Sequence, residues 1–238
     1  MYIPLEVTDL DKLENDVPTI IIPFREQLEQ KRGEQLKRFV SHIHRYHPDW
    51  LVIVIEQSND GKKFNRGALL NIGAKIAEKN EIDYVIFHDV DLLPLSKIVP
   101  YYEVFPDSPI HIAKVWTTKY DSPSFLGGVI SMSIEDIKKT NGFPNNFWGW
   151  GGEDDVLRDR IKSKKINVYQ PTMRGEGYTE LEHIDTRRIP ELRNMKVWDD
   201  KAAERKNPGK SGYKNVKYEV LETTELAPNI QKITVNIK

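Results

Sequence analysis

Short hydrophobic runs alternate with amphipathic stretches over the first 90 residues of the chain. Continuous apolar runs at residues 17–22, 50–55 and 84–87 are typical of strands that are buried on both faces of a sheet. Between these runs, apolar residues recur at helical spacing over residues 30–46 and 67–79. The order strand, helix, strand, helix, strand predicts parallel β-α-β units with right-handed crossovers, and therefore an α/β fold.

The pattern is weaker in the second half of the chain. The polar start at Ser133, with Asp136 three residues later, is typical of a capped helix N-terminus. Residues 184–213 are charged, poor in apolar positions and without periodicity, which favours a long mobile lid loop. The remaining predicted elements are a strand at 110–115, a short helix from 133 to about 142, a helix at 155–164 and a closing pair of strands at 216–221 and 233–237.

The length fits one large domain, which would cover residues 1–238 with residues 1–16 as an N-terminal extension, or two small ones. The net charge is −1, so the basic excess that a general nucleic-acid binder carries is absent. There is no cysteine, Asn-x-Ser/Thr sequon, apolar membrane-length window or signal-peptide pattern. These features predict a cytoplasmic or otherwise soluble protein rather than one of the Golgi lumen. Three tryptophans are interpreted as core or interface residues: Trp50, Trp116 and Trp198.

Two aspartates follow the third predicted strand directly, as Asp89-Val90-Asp91. Ligands of open α/β sheets bind outside the carboxyl ends of the strands, where these side chains are expected to lie. Carboxylate oxygens suit Mn²⁺ or Mg²⁺, so one aspartate can coordinate a cation while the other binds a ribose or a water. The motif is short, and chance matches are common in a chain with 36 acidic residues.

Two arginines are predicted at the same edge of the sheet. Pro23, Phe24 and Arg25 end the first strand, and Phe64 and Arg66 open the second helix. Arginine binds phosphate through parallel hydrogen bonds, and either phenylalanine can stack on a base. Two ordinary surface arginines near helix ends are the alternative interpretation.

Residues 147–156 combine two tryptophans, three glycines and three consecutive carboxylates. Tryptophan offers a sugar an apolar face and an N–H donor, and a neighbouring carboxylate is well placed to act as a base. Trp150, Glu153, Asp154 and Asp155 are therefore candidates for contact with a carbohydrate. The alternative is a glycine-rich turn with a buried tryptophan and a solvated acidic helix start. His183, between acidic residues beside the predicted lid, is a candidate metal ligand, because imidazole with carboxylates suits Mn²⁺ or Zn²⁺.

Several of these blocks occur in an order that resembles the β-1,4-galactosyltransferase family, and the similarity extends from about residue 18 to the end of the chain. This resemblance implies a GT-A fold, in which a Rossmann-like, mixed but mostly parallel sheet is flanked by helices. It also implies inverting transfer of galactose from UDP-galactose to the 4-hydroxyl of an acceptor sugar, with Mn²⁺ as cofactor. The blocks are Phe-Asn-Arg (64–66), Asp-Val-Asp (89–91), Asn-Gly-Phe-Pro-Asn-Asn (141–146), Trp-Gly-Trp-Gly-Gly-Glu-Asp-Asp (148–155) and His183.

The resemblance also assigns roles to individual residues. It implies that the metal is held by Asp91 and His183, and that Asp154 is the catalytic base. Trp150 corresponds to a mobile tryptophan that touches both sugars. The remaining implied substrate contacts are Pro23, Phe24, Arg25, Phe64 and Arg66 for the uridine diphosphate, Asp89 near the nucleotide, Glu153 for the donor sugar and Asp155 for the acceptor.

Two positions depart from the family pattern. Phe125 stands where galactose-using members carry tyrosine, so the choice between galactose and N-acetylgalactosamine stays open. The family's third metal ligand lies two or three residues before the histidine, where this chain has Leu181 and Glu180. Glu180 or Asp185 are then the candidates for this ligand, and an added carboxylate would favour tolerance of Mg²⁺.

The sequence leaves several alternative functions open. The first is the same fold and metal with UDP-N-acetylgalactosamine as donor. An inactive sugar-binding module is less favoured, because Asp91, Asp154 and His183 are all present. A retaining transferase on a similar sheet would give an α-linked product. The acceptor also stays open among N-acetylglucosamine, glucose and xylose.

Overall fold

The computed structural model describes residues 1–115, 125–175 and 177–238, so that Trp116 lies outside the described residues. Within them the chain forms ten strands and five α-helices, joined by short 3₁₀ turns. The strands are β1 (Tyr2–Leu5), β2 (Thr19–Phe24), β3 (Leu51–Gln57), β4 (Tyr84–His88), β5 (Leu92–Pro94), β6 (Val129–Ser133), β7 (Val168–Pro171), β8 (Tyr178–Glu180), β9 (Tyr218–Ala227) and β10 (Ile230–Ile237). The helices are α1 (Arg32–Tyr46), α2 (Arg66–Lys79), α3 (Ile134–Thr140), α4 (Glu153–Ser163) and α5 (Val197–Lys206).

Six strands form the central sheet, in the order β6-β4-β2-β3-β10-β9. The four inner strands run parallel to one another, whereas β6 and β9 are antiparallel edges. The predicted class, a mixed but mostly parallel α/β sheet flanked by helices, is confirmed. All of β2 and β4 is buried, which explains why their sequences are continuously apolar rather than alternating.

The two faces of the sheet bury two separate clusters of side chains. Ile20 and Ile22 of β2 point to the face that carries Phe39 and Ile43 of α1. Ile21, between them, points to the opposite face, against α2 and α4. Both faces are therefore covered by helices, and the ligand-binding edge at the carboxyl ends of the strands stays accessible.

Two small sheets extend the central one. The N-terminal strand β1 pairs in parallel with β7, from Tyr2 opposite Val168 to Leu5 opposite Pro171. Part of the predicted extension at residues 1–16 is thus joined to the body of the chain by backbone hydrogen bonds. The second small sheet pairs β5 with β8 in antiparallel orientation and lies beside the functional edge.

The prediction of a strand at residues 110–115 is wrong. Ile112–Val115 is a short 3₁₀ helix, and Ile110 forms only isolated bridges, to Ser131 and Tyr169. The strand in this part of the chain is β6, which pairs with β4 and begins directly after Gly128. Its hydrophobic run was less conspicuous because serines interrupt it, although all five of its residues are buried.

Residues 184–213 are more ordered than a plain loop. They contain α5 and two 3₁₀ turns, Thr186–Arg188 and Pro190–Leu192. Helix α5 has only one buried residue, Glu204, so it lacks the apolar stripe by which an amphipathic helix is recognised. Its burial depends on charge pairs, which hydrophobic periodicity does not reveal.

Of the tryptophans predicted as core or interface residues, Trp50 is buried and Trp198 is not. Trp50 is buried and donates a hydrogen bond from Nε1 to Glu103 at 2.9 Å. Trp198 is 75% exposed on α5, so it is not a core residue, and its alternative role at an interface stays a prediction. No helix of the described residues has the length and apolar character that crossing a membrane requires.

Candidate active site

A cavity of about 320 Å³ lies at the carboxyl ends of the central strands. It is bounded by the segments that follow β2 and β4, by the first turns of α2 and α4, and by part of residues 183–192. Apart from Glu180, one of the two candidates for a third metal ligand, every residue predicted from the sequence to bind substrate or metal, or to act as base, lies on its wall. These residues are Pro23, Phe24, Arg25, Phe64, Arg66, Asp89, Asp91, Trp150, Glu153, Asp154, Asp155, His183 and Asp185.

Arg66, the first residue of α2, joins the two acidic motifs of the chain. Its guanidinium donates to Asp89 from Nε at 3.0 Å and to Asp154 from Nη1 at 2.9 Å, and Nη1 also lies 3.4 Å from Glu153. Burial alone would lower the pKa of Arg66, but the charges of Asp154, Asp89 and Glu153 outweigh it and raise the pKa. The guanidinium is therefore a permanent cation in the wall of the cavity.

The three carboxylates of the tryptophan-rich block occupy the first turn of α4. Glu153, Asp154 and Asp155 start the helix directly after Gly152, where the positive end of the helix dipole favours negative charge. Burial raises the pKa of Glu153 to about 7, and the charge of Asp154 acts in the same direction. Glu153 is thus buried rather than solvated, which contradicts the alternative interpretation of this block as an ordinary solvated helix start.

Phe125, the residue that leaves donor choice open, lies close to the candidate base. A Cβ atom placed on Gly127 would be 2.6 Å from Asp154 Oδ2 and 2.8 Å from the ring of Phe125. Only glycine fits between them, so the phenylalanine ring and the carboxylate face the same small space. His111 supports this loop through a 2.9 Å hydrogen bond between its Nε2 and the carbonyl of Gly127.

Asp91 and His183 are 92 positions apart in the sequence, but the pairing of β5 with β8 brings them together. Leu92 lies opposite Glu180, and the next backbone bond runs from Leu181 N to the Asp91 carbonyl at 2.7 Å. His183 Nδ1 then lies 3.2 Å from Asp91 Oδ2. A carboxylate and an imidazole that meet at one point, beside a cavity, fit a divalent cation such as Mn²⁺.

Neither candidate for a third metal ligand completes this site. Among residues 1–115, 125–175 and 177–238, no group of three or more His, Cys, Asp or Glu side chains is arranged to hold a metal ion. Arg187 donates to Asp185 Oδ2 from Nε at 3.0 Å and from Nη2 at 2.6 Å, and Asp185 also caps the following 3₁₀ turn. Glu180 lines a neighbouring cavity, which it shares with Glu182. The remaining ligands of a bound cation would have to come from substrate or water.

The tryptophan-rich block is attached to residues 190–194 by backbone hydrogen bonds. Trp150 N donates to Leu192 O at 2.7 Å, and Asn194 N donates to Trp150 O at 3.0 Å. Gly149 permits this contact, because a Cβ there would be 2.7 Å from the Arg193 backbone and its φ is +91°. Trp150 itself is 45% exposed and lines the cavity.

Helix α5 is held against α4 by two ion pairs. Asp155 accepts from Arg158 at 2.8 Å and also pairs with Lys201 of α5. Deeper in the interface, Arg160 Nη2 donates to Glu204 at 2.6 Å, and both side chains are buried. The predicted acceptor contact, Asp155, is thus already engaged by the segment that was predicted as a lid.

Arg25 and the two phenylalanines form the far wall of the cavity. Arg25 donates from Nη1 to the carbonyl of Lys62 at 2.5 Å, and lies 3.8 Å from Asp60. Phe24 is buried at the end of β2, whereas Phe64 is half-buried immediately before α2. This arrangement leaves Phe64 the more accessible of the two for stacking on a base.

A buried polar network behind the aspartates was missed by sequence analysis. His88 Nδ1 lies 2.8 Å from the Asp89 carbonyl, and His88 Nε2 lies 2.9 Å from Tyr102 Oη. Tyr102 Oη in turn lies 2.9 Å from Tyr178 Oη on β8. Burial lowers the pKa of His88 to about 4, so the ring is neutral at pH 7. The network joins the turn after β4 to the strand that leads to His183.

A second omission is Arg32, the first residue of α1, which also lines the cavity. It donates from Nη1 to Asp91 Oδ2 at 2.9 Å. No motif marks this residue. The available signal was its position: helices that follow parallel strands begin at the same edge at which the strands end, so the first turn of α1 had to lie near Asp91.

Two family profiles match the chain. Residues 12–103 match the N-terminal region of glycosyl transferase group 7, and residues 108–184 match a profile described as the N-terminal domain of galactosyltransferase. The beta-1,4-galactosyltransferase 7 of Drosophila melanogaster is 34% identical over 224 residues, which are 91% of this chain and 67% of that protein. The xylosylprotein 4-beta-galactosyltransferase of Caenorhabditis elegans is 32% identical over 212 residues, or 84% of this chain and 70% of that protein. The chain thus spans about two thirds of the length of these relatives.

Solved structures of the Drosophila enzyme have the same fold. Its catalytic domain in complex with xylobiose superimposes with a TM-score of 0.76 at 31% identity, over 94% of both chains. A mutant of that enzyme in complex with manganese, UDP-Gal and xylobiose gives a TM-score of 0.75 at 30% identity. Both superpositions cover 94% of this chain.

Proposed function

Because the chain belongs to the β-1,4-galactosyltransferase family, we propose that it transfers galactose from UDP-galactose to the 4-hydroxyl of an acceptor sugar, with inversion. The observation that carries this proposal is the Arg66 cluster. One partly buried guanidinium donates hydrogen bonds both to Asp89, at the carboxyl end of β4, and to Asp154, the candidate base, in the wall of a single cavity. Donor and acceptor can therefore meet there.

Inverting transfer is a single displacement at the anomeric carbon of the donor. As the acceptor oxygen bonds to this carbon, its proton passes to a carboxylate oxygen of Asp154, and the bond from the anomeric carbon to the diphosphate oxygen breaks. The hydrogen bond from Arg66 orients the Asp154 carboxylate. Trp150, half-exposed beside it, gives the sugars an apolar face and reduces the access of water.

Asp91 and His183 would hold the cofactor, for which Mn²⁺ is proposed and Mg²⁺ is the alternative. When bound, the cation stabilises the negative charge that develops on the departing diphosphate. The donor set supports Mn²⁺, because a protein imidazole is less suited to Mg²⁺, which prefers oxygen ligands and keeps several waters. The related Drosophila structure that contains manganese and UDP-Gal supports the same choice.

Among the acceptors that the sequence left open, we propose xylose. The relative from C. elegans is named a xylosylprotein galactosyltransferase, and the Drosophila enzyme was crystallised with xylobiose. N-acetylglucosamine and glucose are the competing acceptors. UDP-N-acetylgalactosamine is the competing donor, because Phe125 lines the cavity close to Asp154 and brings no hydroxyl.

A transfer assay tests the proposal. UDP-galactose, Mn²⁺ and a xyloside should give a β-1,4-linked disaccharide, identified by NMR, faster than N-acetylglucosamine or glucose does. UDP-N-acetylgalactosamine is the matched donor control, and a clear preference for it would reassign the donor. An α-linked product would indicate a retaining enzyme. If no acceptor is glycosylated while UDP binds, the chain is a binding module instead.

Cellular location is a separate prediction, since it rests on composition. The chain has no cysteine and no Asn-x-Ser/Thr sequon, which favours the cytoplasm over the Golgi lumen. Imaging of the tagged protein in its own cells tests this. Co-localisation with a Golgi marker would contradict the prediction without changing the proposed reaction.

A further inference from the structure

Arg32 occupies the position on Asp91 that a divalent cation needs. Its Nη1 lies 2.9 Å from Asp91 Oδ2, and this oxygen also lies 3.2 Å from His183 Nδ1. A metal bound by both residues must approach within about 2.2 Å of this carboxylate and of the imidazole nitrogen. A guanidinium charge hydrogen-bonded to the same oxygen repels that metal and competes for the same lone pairs.

Several contacts hold Arg32 in this position, so it differs from an ordinary surface arginine. Its Nη1 also donates to Gln35 Oε1 at 2.8 Å, and its Nε donates to Gln30 Oε1 at 3.3 Å. Both glutamines are buried. The site that holds the guanidinium is therefore built from α1, from the turn before it and from the Asp91 loop.

The same two glutamines hold the segment that carries His183. Gln35 Nε2 donates to the Glu182 carbonyl at 3.1 Å, and Gln30 Nε2 donates to the Ile184 carbonyl at 3.1 Å and to Thr186 Oγ1 at 2.7 Å. Movement of Arg32 away from Asp91 thus leaves His183 supported on both sides. The cation that pairs with Asp91 can therefore change from the guanidinium to a metal ion while His183 keeps its position.

We propose that Arg32 is an internal counter-cation that makes metal binding and nucleotide binding depend on each other. In the metal-free protein it neutralises Asp91. When a divalent cation binds, Arg32 turns into the cavity and pairs with the diphosphate of the donor, as a third arginine beside Arg25 and Arg66. This inference rests on the proposed function, since it takes the ligands to be a divalent cation and a nucleoside diphosphate.

The charge balance explains the direction of this exchange. A divalent cation on Asp91 leaves the guanidinium without its anion, and the diphosphate supplies a new anion at the same edge of the sheet. Arginine suits this partner, because its planar fork matches phosphate oxygens through paired hydrogen bonds. Cation and nucleotide should therefore bind with positive coupling, which thermodynamic linkage requires to be equal in both directions.

Direct binding measurements test the proposal without any transfer reaction. Free Mn²⁺ is counted by EPR during titration of the protein, once alone and once with saturating UDP. In the wild type, UDP should tighten Mn²⁺ binding by a factor of roughly ten or more. In Arg32→Gln, Mn²⁺ alone should bind several-fold more tightly, roughly threefold to tenfold, and the additional effect of UDP should largely disappear.

Arg38→Gln is the matched control, because it removes the same charge from the exposed face of the same helix. It should behave as wild type in both titrations. Arg32→Lys keeps the charge but not the fork, so it should retain weak binding of Mn²⁺ alone and lose part of the coupling.

Two results would overturn the proposal. One is an unchanged ratio of the two Mn²⁺ affinities in Arg32→Gln. The other is weaker binding of Mn²⁺ alone in that variant, with a lower melting temperature, which would mean that Arg32 only supports the site structurally. Neither result depends on galactose transfer. A failure of the Arg32 proposal is thus distinct from a failure of the proposed function, which would appear as absent transfer by a wild type that binds Mn²⁺ and UDP.

Discussion

The carboxylates around Arg66 have different environments, although they are neighbours in the sequence. Glu153 is buried and has a raised pKa, whereas Asp154 is partly exposed to the cavity and Asp155 pairs with Arg158 and Lys201. Asp154 is thus the one of the three that is both partly exposed to the cavity and hydrogen-bonded to Arg66. This position supports its proposed role as the base.

Asp154→Asn should lower the turnover number by about 100-fold to 10,000-fold, the usual contribution of a general base. Asparagine can still accept the hydrogen bond from Arg66, so the affinity for UDP with Mn²⁺ should stay close to that of the wild type. Steady-state kinetics and titration calorimetry measure the two quantities. Asp159→Asn, an exposed position on the same helix, is the control and should keep full activity. Retention of more than a tenth of the turnover in Asp154→Asn would exclude this residue as the base.

Glu153 should make the protein less stable as the pH rises. Its pKa is about 7 in the folded protein and near its ordinary 4.5 when unfolded, so the folded state binds more protons between these values. The free energy of unfolding should fall from about pH 4.5 to 7, by at most about 1.4 kcal/mol per pH unit from this group, and level off above. Urea unfolding of wild type and Glu153→Gln across this range gives the difference. Parallel pH profiles for the two proteins would contradict the assignment.

At the scale of elements, α5 is attached to the body of the protein through charge rather than through apolar packing. Arg160 of α4 donates to Glu204, to the carbonyls of Asn141 and Gly142 and to that of Ser211. This one side chain therefore joins α4, the turn after α3 and the segment after α5. The predicted lid has a fixed C-terminal part, whose support lies outside the cavity.

Glu204→Ala should lower the free energy of unfolding by about 3 kcal/mol, because it leaves a buried guanidinium without its anion. Glu204 also accepts from Gly209 N at 2.9 Å, so the turn after α5 loses a bond as well. Urea unfolding monitored by circular dichroism measures the change. Arg205→Ala, its exposed neighbour, should shift stability by less than about 0.5 kcal/mol. Equal effects of the two substitutions would show that the pair is not structurally important.

At the scale of the whole molecule, the central sheet, the β5–β8 sheet and the first turns of α1, α2 and α4 bring chain segments to one cavity. Residues from 23 to 192 line it, so no continuous segment of the chain forms the site alone. The metal ligands need the β5–β8 pairing, the base needs α4, and the arginines need the first turns of α1 and α2. We expect removal of the cation to abolish the transfer reaction and to leave the fold intact.

Removal of the metal by a chelator should abolish galactose transfer and leave the far-ultraviolet circular dichroism unchanged, because Arg32 and His183 keep Asp91 paired. Added Mn²⁺ should restore the activity. Mn²⁺ alone at 100 times its dissociation constant should raise the free energy of unfolding by about 2.7 kcal/mol, measured as a higher melting temperature. Unfolding on chelation would show instead that the cation is structural.

The sheet core and the site motifs could be predicted from the sequence, because both leave local signals. Buried parallel strands are continuously apolar, and the residues 148–155 combine types that rarely occur together. Helix α5 and Arg32 could not be predicted in this way. The helix is polar on nearly all sides, and the arginine is recognisable only by its distance from Asp91, not by its neighbours in sequence.

By itself, then, the sequence determined the α/β class, the succession of the central strands and helices along the chain, and the motif residues that reach the cavity. Hydrophobic periodicity and motif chemistry are properties of short segments, which is why they can be read without coordinates. Only the tertiary structure decided which charges meet: Arg66 with Asp89 and Asp154, and Arg32 with Asp91. Such pairs depend on strand register and on helix placement, and these are fixed by packing across the whole chain.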